Sequence, residues 1–128
     1  MKVLALDYGA ARTGVALSDP TGTLARPLRV VRRASSEAGL RELAELVRAE
    51  DVERVVVGLP LTLRGERGTQ ADETERFAEA LEALLDVPVE RFDERFTTTL
   101  AGPGTDDDAR AAAHLLTSYL EWWKNRHE

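Results

Sequence analysis

The stretch Val3-Leu4-Ala5-Leu6-Asp7-Tyr8-Gly9 opens the chain, and Thr13–Ser18 (T-G-V-A-L-S) follows it after a short turn. The apolar run that ends at Asp7 predicts a buried strand, and Thr13–Ser18 predicts a second strand that forms a hairpin with it. Leu28–Arg32, which follows a turn at Pro20-Thr21-Gly22, is a third strand candidate. Three strands at this short spacing predict an antiparallel meander.

The hydrophobic period then changes to that of helices. Ser36–Glu50, Ala71–Leu85 and Asp106–Lys124 each carry apolar residues at helical spacing. Between these helices, Arg54–Val57 contains three consecutive valines, the pattern of a strand covered on both faces, and Val89–Phe92 is a fifth strand. The order β-β-β-α-β-α-β-α predicts an α/β fold, in which three antiparallel strands and βαβ crossovers form a mixed five-stranded sheet flanked by helices.

Length and composition narrow the possible classes of protein. The 128 residues predict a single domain, residues 1–128, and the absence of cysteine excludes disulfides, thiolate metal sites and a cysteine nucleophile. No apolar run approaches the roughly 20 residues of a membrane span, and no signal-peptide pattern opens the chain. We therefore expect a cytoplasmic protein that does not act at a membrane.

The net charge of −6 argues against a nucleic-acid-binding protein, but the charge is unevenly distributed. Residues 1–34 hold six basic and two acidic side chains, a net of +4, whereas residues 68–128 hold six basic and fourteen acidic ones, a net of −8. Fifteen of the seventeen basic residues are arginine, which favours bidentate contacts with phosphate. A GC-rich genome would produce the same arginine bias, so composition alone leaves both interpretations open.

Acidic residues occur at the ends of three predicted elements. Asp7 closes the first strand, Asp93 and Glu94 follow the fifth, and 106–108 (D-D-D) open the last helix. Carboxylates gathered at strand ends are what a hard divalent cation such as Mg²⁺ requires, and two such ions can assist phosphodiester cleavage. The alternatives are a helix cap for the three consecutive aspartates, a simple turn for Asp7-Tyr8-Gly9, and a solvated loop for the sequence that contains Glu94.

Helix geometry selects one of the three consecutive aspartates. At about 100° per residue, Asp108 falls within about 40° of Ala112, on the apolar stripe that faces the sheet. Asp106 and Asp107 point away from that stripe and are best explained as residues of an ordinary helix start. An acidic residue on a buried stripe needs a partner or an ion, so Asp108 is the candidate expected to face the first strand.

Glycines and arginines on the loops around these acids are candidates for contacts with phosphate. Gly9, Gly14 and Gly58 can let backbone amides approach phosphate oxygens, although ordinary turns also use glycine. The arginines on the loops expected to flank the acids can hold a phosphate backbone, and the alternative for each is a solvated side chain. They are Arg12, Arg64, Arg67 and Arg95.

Four motifs together resemble the YqgF/RuvX family. The first joins L-A-L-D-Y-G (residues 4–9) to R-T-G-V-A (12–16) and S-D (18–19), and the second is V-V-G-L-P-L (56–61). The third is D-E-R-F-T-T (93–98), and the fourth is D-A-R-A-A (108–112), continuing to S-Y-L-E (118–121). The motifs stand in family order and span nearly the whole chain.

The resemblance implies a ribonuclease H-like fold and nuclease chemistry. It implies that Asp7, Glu94 and Asp108 are catalytic metal ligands, for Mg²⁺ or Mn²⁺ and with two ions, and it adds Thr97 and Thr98 to the nucleic-acid-binding candidates. The implied reaction is phosphodiester hydrolysis by a metal-activated water. The implied substrate is either the precursor of small-subunit ribosomal RNA or a Holliday junction, cut by a monomer or a homodimer.

One departure from the family pattern keeps an alternative open. Only residues 99–105 separate Thr98 from Asp106, where the family usually has a longer segment with basic residues. This motivates a second hypothesis, a nucleic-acid-binding factor in ribosome assembly or transcription that does not cleave. A third, an ATPase lobe of the sugar-kinase and actin type, is disfavoured because such enzymes grip ATP between two lobes and this chain has room for one.

Overall fold

The computed structural model describes residues 1–60, 68–94 and 108–127. Its elements follow the predicted order of three strands and then alternating helices and strands, which confirms the α/β fold expected from the sequence. The strands are β1 (Val3–Asp7), β2 (Arg12–Ser18), β3 (Ala25–Arg32), β4 (Arg54–Leu59) and β5 (Val89–Asp93). The helices are α1 (Glu37–Ala49), α2 (Thr69–Glu82) and α3 (Asp108–His127).

The five strands form one sheet in the order β3-β2-β1-β4-β5. β1 pairs with β2 and β2 with β3 in antiparallel fashion, which confirms the predicted meander. β1 pairs with β4 and β4 with β5 in parallel fashion. The parallel strands β1, β4 and β5 therefore all end at one edge of the sheet, which we call the carboxyl edge, and β2 begins there.

β3 starts at Ala25, earlier than the predicted start at Leu28. Arg26 and Pro27 broke the apolar pattern on which the prediction rested. A proline is tolerated here because β3 is an edge strand, and Pro27 pairs with Ala16 just after a register shift in β2. The predicted start of the last helix, at Asp106, lies outside the described residues.

Two apolar layers cover the two faces of the sheet. Leu4 and Leu6 of β1 belong to a buried cluster with residues of α1 and α2. Val3 and Ala5, the alternating residues, belong to a second cluster with α3. The three valines of β4 are fully buried, as predicted for a strand covered on both faces. None of the helices in the described part of the chain combines the length and apolar character that a membrane crossing requires.

Aromatic side chains fix α3 against the sheet. Tyr119 is fully buried, and its ring lies edge-on to Phe92 of β5 at 5.5 Å between centroids. Trp122 packs on the same phenylalanine at 5.7 Å, and Trp123 lies under the guanidinium of Arg54 at 4.8 Å. The two tryptophans thus pack against other side chains of the protein.

The Tyr119 hydroxyl lies 3.4 Å from Glu90 Oε1, and Arg54 Nη1 lies 2.8 Å from that same oxygen. Burial, and after it the negative charge of Glu90, raises the pKa of Tyr119 from 10.0 to about 12. The pKa of Tyr119 is higher in the folded state than in the unfolded state. The free energy of unfolding therefore keeps its full value below pH 10 and falls as the pH rises from 10 to about 12. The expected loss is roughly 2 to 3 kcal/mol, at about 1.4 kcal/mol per pKa unit.

Urea unfolding at a series of pH values from 9 upward would measure this loss in the wild type and in a Tyr119→Phe variant. The free energy of unfolding of the variant should decline less steeply between pH 10 and 12, because it has no phenol to ionise. Parallel curves for the two proteins would contradict the assignment of this titration to Tyr119.

Candidate active site

Three acidic side chains come from three elements to one region of the structure. Asp7 is the last residue of β1, Glu94 directly follows β5, and Asp108 begins α3. β1 and β5 flank β4 and run parallel to it, so Asp7 and Glu94 meet at the carboxyl edge. α3 begins against β2, the neighbour of β1 on its other side.

The carboxyl groups of Asp7 and Glu94 share a hydrogen bond. Burial raises the pKa of Asp7 and the negative charge of Asp108 raises it further, whereas the hydrogen bond from Glu94 lowers it. Burial and the negative charge of Asp7 raise the pKa of Glu94 to about 7. Two carboxyl groups in contact therefore hold a proton between them near neutral pH, since two buried like charges repel.

Two glycines leave the space that these acids occupy. A side chain at Gly58 of β4 would place its Cβ 2.6 Å from Glu94 Oε1, so the glycine allows the Glu94 side chain to lie across β4. A Cβ at Gly14 of β2 would overlap the backbone carbonyl of Asp108. The positions of Glu94 and of the start of α3 thus both depend on a glycine in a neighbouring strand.

The carboxylate of Asp108 faces Arg12 at the start of β2. Arg12 Nε lies 3.2 Å from Asp108 Oδ2, yet that oxygen is buried and has no hydrogen-bond partner. The contact is thus an ion pair at an angle that does not suit a hydrogen bond. Within residues 1–60, 68–94 and 108–127, no three acidic, histidine or cysteine side chains lie close enough to hold a metal ion as they stand.

The sequence matches the profile of the RuvX family, described as Holliday junction resolvase, over residues 1–122. The chain belongs to this family. The resemblance seen in its four motifs is thereby confirmed.

Relatives of known name agree with this assignment. A protein of Chloroflexus aurantiacus named "Putative pre-16S rRNA nuclease" is 48% identical over 99 residues, which cover 77% of this chain and 65% of that protein. A protein of Moorella thermoacetica with the same name is 47% identical over 133 residues, covering 94% of this chain and 95% of that protein. These names support the expected nuclease role.

Solved structures confirm the ribonuclease H-like fold that the resemblance implied. RuvC of Thermus thermophilus, in complex with a Holliday junction substrate, superposes with a TM-score of 0.69 at 15% identity, covering 99% of this chain and 97% of that one. The Fowlpox virus resolvase, in complex with Holliday junction DNA, gives a TM-score of 0.52 at 10% identity over the full length of both chains. At these identities the likeness concerns the fold alone.

The donor set of this RuvX-family chain fits a divalent cation. Its three side chains are carboxylates, the ligands that Mg²⁺ and Mn²⁺ prefer. Asp108 Oδ2 is a buried oxygen without a hydrogen bond, and Asp7 and Glu94 repel each other when both are ionised. A cation would relieve both conditions, provided that Asp108 turns from Arg12 toward the pair. The assignment of the three acids as metal ligands stays a prediction.

The other predicted site residues divide into two groups. Gly9 lies in the turn after β1, Arg12 begins β2, and Gly58 is buried in β4, where its role in this structure is to make room for Glu94. Asp106 and Asp107 lie outside the described residues. The remaining candidates also lie outside them, namely Arg64, Arg67, Arg95, Thr97 and Thr98.

Sequence reasoning missed one residue that shapes the site. Thr13 is fully buried, and its hydroxyl lies 3.3 Å from both the amide nitrogen and the carbonyl oxygen of Gly9. This contact closes the turn that follows Asp7. The neighbouring Tyr8 stacks on Phe77 of α2 at 4.4 Å, which holds the start of the same turn. The sequence signal for this role was a threonine directly before Gly14.

Proposed function

We propose that this chain is a metal-dependent nuclease that hydrolyses phosphodiester bonds, with Asp7, Glu94 and Asp108 as its catalytic metal ligands. The observation that carries the proposal is the buried contact between Asp7 and Glu94, beside a third carboxylate close enough to raise the pKa of Asp7. Such a cluster destabilises a fold unless a cation binds there. Because burial disfavours the charged forms of Asp7 and Glu94, a functional role explains these acids best.

The chain's own groups would hold Mg²⁺ or Mn²⁺ and orient the scissile phosphate. When bound, the ions supply Lewis-acid stabilisation of the charge that develops during hydrolysis, and two ions suit an in-line displacement. Asp7 and Glu94 are fixed by the ends of two strands, which gives the precision that catalysis requires. Arg12, released from Asp108, would be free to contact a phosphate oxygen.

We infer that the substrate is RNA, the precursor of 16S ribosomal RNA. The support is the name carried by relatives at 47–48% identity, one of which aligns over 94% of this chain. A four-way DNA junction is the second candidate, favoured by the family description and by the substrate in the Thermus thermophilus complex. The relatives that carry this name are more similar in sequence to this chain than RuvC of Thermus thermophilus is, at 47–48% against 15% identity. We therefore rank the RNA first.

A cleavage panel tests the nuclease and its substrate together. With Mn²⁺ or Mg²⁺, the wild type should cut precursor 16S RNA faster than duplex DNA, unstructured RNA or a four-way junction. Removal of the metal with EDTA should abolish cleavage, and readdition of Mn²⁺ should restore it. Preferential cutting of the junction would make the second candidate the correct one.

Cleavage that continues in EDTA would contradict the metal-dependent mechanism. Salt-dependent binding of RNA without cleavage in any metal would favour the non-cleaving assembly factor.

A further inference from the structure

Two arginines lie directly opposite each other on neighbouring strands, close to the candidate active site. In the antiparallel pairing of β2 with β3, Arg12 is the partner of Arg32. Partners in an antiparallel pair point to the same face, with Cβ atoms about 5 Å apart. That face is the one covered by α3, because Arg12 contacts Asp108 and the next residue on the same side, Gly14, abuts the start of α3.

This arrangement lowers the stability of the protein when no ligand is bound, since like charges directly opposite each other destabilise a sheet. Arg12 and Arg32 are both exposed. Within the part of the chain that the structure describes, Asp108 is the ion-pair partner of Arg12, and Arg32 has none. On the opposite face of the same strand, by contrast, Arg29 pairs with Glu42 of α1 at 3.6 Å.

A third arginine adds positive charge next to this pair. Arg33 directly follows β3, and its amide donates a hydrogen bond to the carbonyl oxygen of Ala11, at 3.0 Å, in the turn that follows Asp7. Its φ of 45° lies in the left-handed region, which costs free energy for a residue other than glycine. The chain thus keeps an exposed arginine at a strained position beside the site.

Among the described residues, few acidic side chains lie against this end of β2 and β3. The chain carries more acidic than basic residues, 23 against 17, yet within the described residues Arg12 is the one member of these three arginines that has an acidic partner, Asp108. That acid is itself a predicted metal ligand. Arginines that have no acidic partner among the described residues, beside the proposed nuclease site, suit the binding of a polyanion, because arginine binds phosphate through two parallel hydrogen bonds.

We propose that Arg12, Arg32 and Arg33, here called the edge arginine cluster, bind the sugar–phosphate backbone of the nucleic acid and guide it to the acids across the β2–β3 edge. The proposal rests on the proposed nuclease function and adds the side from which the substrate enters. Contacts of this kind set affinity and register without reading sequence. The cluster therefore binds any strand that presents a phosphate backbone, while the identity of the substrate is decided elsewhere.

Binding in EDTA tests the cluster without any cleavage. The probes are a fluorescein-labelled single-stranded RNA, an RNA hairpin and a four-way DNA junction, and fluorescence anisotropy across a NaCl series gives the affinity. Arg32→Gln should weaken binding roughly 5- to 10-fold near physiological salt and reduce the slope of log Kd against log salt by about one. Arg32→Lys keeps the charge and should restore most of the affinity.

Arg26→Gln is the matched control. Arg26 is also an exposed arginine of β3, but it pairs with Leu17 at the far end of the strand, and Leu17 belongs to the core on the α1 side. Its replacement removes the same charge and should change the affinity by less than about 2-fold. The melting temperature of Arg32→Gln should equal or exceed that of the wild type, because the substitution relieves a repulsion.

The outcomes separate this proposal from the nuclease proposal. Equal affinities for Arg32→Gln and the wild type, or equal losses for Arg32→Gln and Arg26→Gln, would overturn the cluster even if the enzyme cleaves. A wild type that cleaves nothing but shows the expected difference between the two variants would support the cluster and contradict the nuclease. If the wild type cleaves, Arg32→Gln should raise KM and leave kcat nearly unchanged.

Discussion

An Asp7→Asn variant should lose at least about 100-fold in nuclease activity and yet melt at or above the melting temperature of the wild type. The activity falls because the amide cannot replace a carboxylate as a ligand for a divalent cation, and loss even of a group that supports such a ligand costs 10- to 100-fold. The stability is kept because the substitution removes a charge that burial and the nearby Asp108 disfavour, as the raised pKa of Asp7 indicates. A residue that lowers the stability of the fold is best explained by a role in function.

Initial rates on precursor 16S RNA in Mn²⁺ and thermal unfolding followed by circular dichroism would measure the two effects. Asp86→Asn is the matched control, since Asp86 is exposed and precedes β5, at the opposite end of that strand from Glu94. The control should leave both rate and melting temperature unchanged. A marked fall in the melting temperature of Asp7→Asn, together with its activity, would instead assign Asp7 a structural role.

The fold could be predicted because its strands and helices carry their own hydrophobic signals. The valines of β4 are apolar without interruption, and they are buried on both faces. β3 was predicted only in part, because an edge strand is half solvated and its alternation is weak. Arg26 and Pro27 interrupt the pattern, and only the pairing with β2 places them in the sheet.

The candidate site could be predicted from the sequence where a residue's position within its own element was informative. Asp7 ends an apolar run, and Asp108 stands on the buried stripe of its helix. The roles of Gly14 and Gly58 could not be found in this way, because each depends on a contact with a residue far away in the chain. The pairing of Arg12 with Arg32 depends on the register of β2 with β3, which shifts between Val15 and Ala16, and no local pattern predicts such a shift.

Gly14→Ala is expected to inactivate the enzyme by displacing the start of α3. The Cβ of an alanine would overlap the backbone carbonyl of Asp108, so shortening the Asp108 side chain cannot relieve the overlap. Either α3 or β2 must shift, and a displacement on the order of 1 Å at a catalytic group can cost about 100-fold in rate. Overpacking of this kind should also lower the free energy of unfolding by about 1–3 kcal/mol.

Gly68→Ala provides the matched control, because a Cβ at Gly68, which precedes α2, meets no other atom within 4 Å. Its activity should equal that of the wild type, and its stability should fall by no more than about 1 kcal/mol, the typical effect of an N-cap change. Rates should be measured well below the melting temperature of each variant, so that a loss in Gly14→Ala reflects displacement rather than unfolding. Full activity in Gly14→Ala would mean that the position of Asp108 is not fixed by its approach to β2, and the case for Asp108 as a catalytic ligand would lose its geometric basis.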